Sequence, residues 1–560
     1  MNKASSSPVR AAPSRAVELA LALDPDDPRT LQRQLYDALR ASILDGRLLP
    51  GECLPGTRSL AASLEISRTT VALVFDQLRA EGYVSGRPRS GTFVTRVLPD
   101  AHLRAHGDPR AARIRERQPA RSKARRTAMH PATSDGDVRD TPDPLSARGR
   151  AIASLTVGTT PLVGGTGSRA FRMGTPALDH FPLQLWGRLL SRRWRGMATA
   201  QLAYAEPHGY APLRAAIAAY VRHARAVTCD PGQVIVVSGA QQAFDLAARV
   251  LLDPGDAVAM EDPGYRGARA AVRAAEGVVV PVTVDDNGMD VDALRALTPA
   301  PRMVCVTPSH QFPLGVTLCA ARRLALLDWA RTHGAWIVED DFDSEYRFRG
   351  RPLPSLQGMD PDGRVIYVGT FSKTLFPALR LGYVIVPPLL VDAFASARAV
   401  VDRHPSSLEQ AVLAEFIAEG HFVRHVRRMR ALYAARQTTL LQLLGDEAAE
   451  WMRAEPVDAG MHLVAWLRPG LDDAALSARA LEEGVVASPL SALSLTTRRR
   501  SAPTHEAPRR GALMLGFAAF DRDVMARALA RLCAVARRLP IDKGKTPGQV
   551  ESVQASPLLP

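Results

Sequence analysis

Lysine is nearly missing from this 560-residue chain, which holds five lysines beside 66 arginines. Arginine stays charged and cannot serve as an amine nucleophile, so a lysine in an ordered stretch is informative. Between Lys123 and Lys543 the only one is Lys373. Cysteine is also sparse: Cys53, Cys229, Cys305, Cys319 and Cys533 are scattered and form no CxxC pair. That excludes a disulfide framework or a cysteine zinc site. No apolar run approaches the roughly 18 residues that span a bilayer, and Val17 to Leu23 is short and carries Glu18. A soluble, cytoplasmic protein without membrane contact is expected.

What is present is a hydrophobic content of 46% and a net charge of +14. The first excludes a wholly disordered chain, and the length allows about two to four domains. The charge is unevenly placed. Residues 101–130 carry nine Lys or Arg against Asp108 and Glu116, a net +7, so half of the excess sits in thirty residues. Residues 97–153 show no sustained apolar period and read as a basic, disordered linker. The expected organisation is a small unit over 24–96, the linker over 97–153, a large unit over 154–540 and a flexible tail over 541–560.

In the small unit, Leu31, Leu35, Ala38, Leu39 and Ile43 recur at helical spacing and Asp45-Gly46 ends the helix. Thr57 is placed to cap a short helix through Leu64, and Ser67 to cap a helix over Arg68 to Glu81. Arg68, Thr69 and Thr70 crowd the start of that helix, where a helix-turn-helix directs side chains into the major groove. Gly82 to Val84 and Thr92 to Val94 read as strands around a tip with Arg87 and Arg89. The pattern is a winged helix; an arginine-studded protein-interaction module is the alternative.

Leu54-Pro55-Gly56-Thr57-Arg58-Ser59-Leu60-Ala61, with Ser67-Arg68-Thr69-Thr70-Val71 and Glu81-Gly82-Tyr83, closely resembles the GntR family of bacterial DNA-binding domains. The resemblance implies contacts to double-stranded operator DNA from Arg58, Ser67, Arg68, Thr69, Thr70, Arg89 and Gly91.

In the large unit, short apolar runs at 234–237, 257–260, 278–282, 303–307, 336–338 and 365–368 alternate with helical stretches such as 241–252 and 322–332. That spacing indicates an α/β fold with a mostly parallel sheet, which binds ligands at its carboxyl ends. Ser238-Gly239-Ala240-Gln241 follows a strand and opens a helix, a place for phosphate. Glu261-Asp262-Pro263-Gly264-Tyr265 can aim a ring into the same crevice. The carboxylates of Glu339 to Glu345 cannot all be buried without partners, so some must face solvent, a metal or a cation; a hard-metal site is the competing reading. Lys373 lies among Phe371, Leu375 and Phe376, and desolvation there lowers an amine's pKa and favours attack on an aldehyde.

Residues 170–538 resemble a fold type I aminotransferase. The whole chain resembles the MocR (GabR-like) subfamily of transcriptional regulators, including Thr307-Pro308-Ser309-His310-Gln311-Phe312-Pro313. The resemblance implies pyridoxal 5'-phosphate (PLP), with Lys373 its covalent attachment point, Asp340 on the pyridine nitrogen and Tyr265 stacked on the ring. It also implies that Ala240, Gln241, Thr370, Ser372 and Arg380 hold the phosphate, that His310 or Gln311 lies near the phenolic oxygen, and that Tyr204 reaches a neighbouring subunit in a homodimer.

Two positions depart from the family pattern. Phe342 stands where relatives carry Tyr, and Met514 stands where aminotransferases carry the arginine that binds the substrate carboxylate. A thioether cannot replace a bidentate guanidinium. The expected function is regulatory, with an effector that is PLP or a small amine and no catalytic residue required; a working aminotransferase with an added DNA-binding domain is the alternative.

Overall fold

The computed structural model describes residues 23–24, 27–87, 91–96, 145–155, 170–350, 353–495 and 511–541. Two compact units divide the chain, residues 1–138 and 139–560.

The first unit is a three-helix module with a two-stranded wing: α1 (Leu31–Leu44), α2 (Thr57–Ser63), α3 (Arg68–Ala80), β1 (Val84–Arg87) and β2 (Gly91–Val94). Thr30 caps α1 by accepting from the Arg33 N–H, and Ser67 caps α3 by accepting from the Thr69 N–H at 3.1 Å. Helical spacing brings Leu35, Leu39, Val71, Val74 and Leu78 to full burial in one core. The α2 cap differs from expectation. Gly56 is the N-cap and Thr57 the first helical residue, because the chain enters extended at Gly56 (φ −61°, ψ 149°) directly after Pro55. The wing strands also run further toward the tip than the apolar pattern suggested, pairing Arg87 with Gly91. Tyr36 closes the module by donating its hydroxyl to Glu81 at the end of α3.

The second unit begins with α4 (Ala147–Ala153), inside the stretch read as linker. No residue of α4 is buried, so it has no apolar period to betray it. Ser146 caps it, and Arg148 donates to the Ala274 carbonyl at 3.1 Å.

The main sheet contains β3 (Val234–Val237), β4 (Ala257–Asp262), β5 (Val278–Asp285), β6 (Gly288–Met289), β7 (Met303–Val306), β8 (Trp336–Asp341), β9 (Val365–Thr370) and β10 (Gly382–Ile385). Their order is β3-β10-β9-β8-β7-β4-β5-β6. Strands β9, β8, β7, β4 and β5 are mutually parallel, while β10 is antiparallel to both β9 and β3. Helices cover both faces, so β3, β7, β8 and β9 are buried along their whole length. One core lies between the sheet and the helix Ala240–Leu251; another gathers Leu213, Ile217, Phe371 and Phe416 on the opposite side. A second, antiparallel sheet joins β11 (Met452–Ala454), β12 (His462–Leu467), β13 (Ser488–Pro489) and β14 (Ala512–Gly516) in the order β11-β12-β14-β13. The long helix His421–Glu447 and the helix Arg522–Arg538 pack on it. Among the described residues, no helix is long and apolar enough to cross a membrane.

Candidate functional site: a cofactor cradle and a DNA-reading helix

The carboxyl ends of β3, β4, β7, β8 and β9 meet in one crevice, as the parallel topology requires. Strand β8 delivers the carboxylates. Glu339, Asp340, Asp341 and Asp343 are buried and Glu345 is half-buried, and of the partners expected for such a run, solvent, a metal or a cation, Asp341 has a cation in Arg225. Partners from distant parts of the chain account for most of them. Glu339 accepts from the backbone N–H groups of Leu356 and Gln357 at 2.8 and 2.9 Å. Asp341 accepts from Arg225 Nε at 2.6 Å and Nη2 at 3.2 Å, and from the Tyr367 hydroxyl. Asp343 bonds His310 Nδ1 at 2.9 Å.

Asp340 is different. Its Oδ1 is buried without a hydrogen-bond partner. Desolvation, followed by repulsion from Asp341 and Asp343, pushes its pKa up to about 8. A buried acceptor with no donor is a position prepared for one.

Lys373 follows β9 and donates from Nζ to the Gly174 carbonyl at 3.0 Å. Burial lowers its pKa, while Asp343 and Asp340 oppose the shift. Gly174 sits in the left-handed region (φ +66°), which favours glycine, and a Cβ there would also push against the Lys373 tip, 2.5 Å from Nζ. Tyr346 steadies the lysine loop by donating its hydroxyl to the Lys373 carbonyl at 3.1 Å.

At the end of β3 the backbone turns through Gly239 (φ +110°) into the helix Ala240–Leu251. The first N–H groups of a helix, here those of Ala240 and Gln241, have no carbonyl four residues earlier to bond and attract anions. Arg380, in the left-handed conformation (φ +51°), lays its guanidinium against this turn: a Cβ on Gly239 would be 3.6 Å from Nη1 and Nη2. Thr370 accepts the Ser372 N–H at 3.2 Å, closing the lysine turn on the same side.

Tyr265 caps the helix Arg266–Ala274 and is about one-third exposed, its ring edge-on to Phe312 at 6.1 Å. The turn before it is tied to the smaller sheet's domain. The Gly264 N–H donates to the Leu493 carbonyl at 3.3 Å, and the Leu495 N–H to Asp262 Oδ1 at 2.8 Å.

The two residues expected near a phenolic oxygen differ in availability. Gln311 spends its amide on Pro263 and Phe312 carbonyls at 3.0 and 2.7 Å, and its oxygen accepts the Leu314 N–H. His310 keeps Nε2 buried without a partner. Phe342 packs its ring 5.8 Å from His310 and 5.9 Å from Phe312. Met514 is fully buried in β14, between Val464 and Ser488 of the flanking strands. Strand alternation turns it away from Leu513 and Leu515, which enter the core under the helices. Tyr204 is 79% exposed, with the Arg403 guanidinium 4.6 Å from its ring centroid. Among the described residues no His, Cys, Asp or Glu group could hold a metal ion.

In the first unit, Arg58, Ser67, Arg68 and Thr69 are exposed and Thr70 is half-buried. Arg58 on α2 and Arg68 on α3 make no hydrogen bond or ion pair among the described residues. Gly91 opens β2 at φ +111°; Arg89 lies outside the described residues.

Sequence profiles of two families match the chain: "Bacterial regulatory proteins, gntR family" over residues 31–94, and "Aminotransferase class I and II" over residues 174–532. A probable rhizopine catabolism regulatory protein, MocR of Rhizobium meliloti, is 41% identical over 91% of this chain and 95% of its own length. The chain belongs to the MocR subfamily. Another relative, the HTH-type transcriptional regulator TauR of Rhodobacter capsulatus, is 35% identical over 76% of this chain and 82% of its own. Among solved structures, the α-aminoadipate aminotransferase LysN of Thermus thermophilus, complexed with N-(5'-phosphopyridoxyl)-L-leucine, matches at TM-score 0.60 and 30% identity. It covers 69% of this chain and 94% of its own.

The aminotransferase neighbour LysN holds a phosphopyridoxyl group, and the residues present here fit a cofactor of that kind. The partnerless Asp340 oxygen suits a protonated ring nitrogen. The Gly239 turn with Arg380 suits a phosphate, and Lys373 is an amine of lowered pKa near Asp340. Sequence reading missed Gly174, Arg225 and the His310–Asp343 pair. A glycine before Thr175-Pro176 was the one available signal; the others pair residues 116 and 33 positions apart.

Proposed function

We propose that the chain is a MocR-type transcriptional regulator whose winged helix binds operator DNA and whose aminotransferase-like domain holds PLP and senses it, or a small amine, as effector. Asp340 carries the reading: a buried carboxylate oxygen without a donor, at the end of a strand whose other acids are paired. In this proposal Asp340 receives the ring N–H and Tyr265 lies on the ring. The N–H groups of Ala240 and Gln241, with Thr370, Ser372 and Arg380, bind the phosphate. His310 Nε2 faces the phenolic oxygen, since Gln311 is committed elsewhere. When bound, PLP supplies an aldehyde that an amine can condense with and a ring that stabilises negative charge.

The chain's own residues then set what the site selects. Lys373, whose Nζ is held by the Gly174 carbonyl, would attach the cofactor, and an effector amine would compete with that lysine. Met514 offers no charge to an α-carboxylate, which disfavours ordinary amino acids and favours PLP itself or an amine without that group. The subunits pair as a homodimer in this proposal, and the state of the large domains sets the separation of two DNA-binding heads, hence the half-site spacing.

Footprinting of the full-length protein on the DNA flanking its own gene, with and without PLP, tests this. The expected result is protection of paired sites that changes with PLP in the wild type and is indifferent to it in Lys373→Ala. Repeated turnover of amino acids by the holoprotein would instead establish the aminotransferase alternative.

A further inference from the structure

Helix α3 leaves one stripe outside the core. Val71, Val74, Phe75 and Leu78 are buried, so Thr69, Ala72, Leu73 and Asp76 share the opposite side at helical spacing. A helix in the major groove identifies bases in two ways: hydrogen bonds from long polar side chains, or apolar contact with the thymine C5-methyl group. Most long polar side chains of α3 are engaged within the domain. Gln77 Nε2 donates to Glu81 Oε1 at 3.0 Å, and Arg79 Nη1 pairs with Asp76 Oδ1 at 2.9 Å. Arg68 remains at the amino-terminal tip. Behind it, before Asp76 and its Arg79 partner, the outward surface is a threonine methyl, an alanine and a leucine. Leu73 is 49% exposed and does not join the domain's apolar core.

We infer that Leu73, flanked by Ala72 and Thr69, reads a thymine methyl group in each operator half-site. Arg58, Arg68 and the hydroxyls position the helix against phosphates, while the methyl stripe supplies base discrimination. The inference rests on the DNA-binding reading and adds which chemical group on the base is recognised.

The test starts from a duplex that the full-length protein selects out of a randomised pool. That duplex is remade with deoxyuridine replacing thymidine one position at a time, which removes only the methyl group. One position per half-site is expected to lose affinity about fourfold, the worth of one methyl transferred out of water. Leu73→Ala, whose exposed position leaves the melting temperature unchanged, is expected to bind the thymidine and deoxyuridine duplexes equally at that position. Its salt dependence should match the wild type, because the phosphate contacts are intact. Two results overturn the inference: no position responds to deoxyuridine, or Leu73→Ala keeps the wild-type preference for thymidine. Failure to enrich any duplex would mean that the DNA-binding reading itself had failed, and this inference with it.

Discussion

Asp340 and Asp341 are adjacent on β8 and equally withdrawn from water, but only Asp341 has Arg225 beside it. For Asp340 the folded state raises the pKa from the ordinary 3.8 to about 8. Between those values the native chain holds a proton that the unfolded chain has released, so stability falls as pH rises through that window. Glu261 and Glu339, each pushed up to about 7 by burial, act in the same direction. Apoprotein carrying Asp340→Asn should therefore melt at a higher temperature than the wild type at pH 8, with the gap closing toward pH 5. Scanning calorimetry across that range would show it, and a constant gap would contradict the assignment. Asp341 makes the opposite case. Arg225→Met strands a buried carboxylate, and urea titration should register a loss of about 3–5 kcal/mol. The difference could not be read from the chain: both acids were visible in sequence, but the arginine that neutralises Asp341 stands 116 residues away.

Elements were legible where their cause is local. In the winged helix, periodicity, Ser67 and the Asp45-Gly46 stop all lie within a few residues of what they determine, and α1 and α3 fall within one residue of their expected ends. Replacing the α3 cap, Ser67→Ala, should cost about 1 kcal/mol of that unit's stability by thermal unfolding. Strands of the large unit were recognised by apolar runs that stop at Met260, Val338 and Val368, yet β4, β8 and β9 continue to Asp262, Asp341 and Thr370. The polar ends remain in the sheet because distant groups satisfy them, so a hydrophobic pattern truncates each strand at the residues that do chemistry. Strand β10 escaped notice for a related reason: it is four residues long and pairs antiparallel between strands far away in sequence. At the β3 turn, Gly239→Ala places a side chain at φ +110° within 3.6 Å of Arg380. Weaker PLP retention is expected, measurable as an increased dissociation constant with the fold intact.

Across the whole molecule, half of the +14 charge falls within thirty residues, 101–130. Arg58 and Arg68 are positioned by the winged helix, whereas the nine basic residues of 101–130 belong to sequence without a packing period. Replacing those nine by glutamine should flatten the salt dependence of DNA binding and leave the preferred sequence unchanged, as fluorescence titrations at several salt concentrations would reveal. The scarcity of lysine was the sharper signal, since the one lysine between Lys123 and Lys543 stands beside the carboxylate that lacks a partner. The large unit also carries a built-in reporter. Its smaller sheet touches the Tyr265 turn through two amides, Gly264 on one side and Leu495 on the other, each bonded across the divide. Any movement that parts the two must release both protons to solvent together. Hydrogen exchange at this pair of amides, followed with and without PLP, would time any such motion without a label on the DNA or the cofactor.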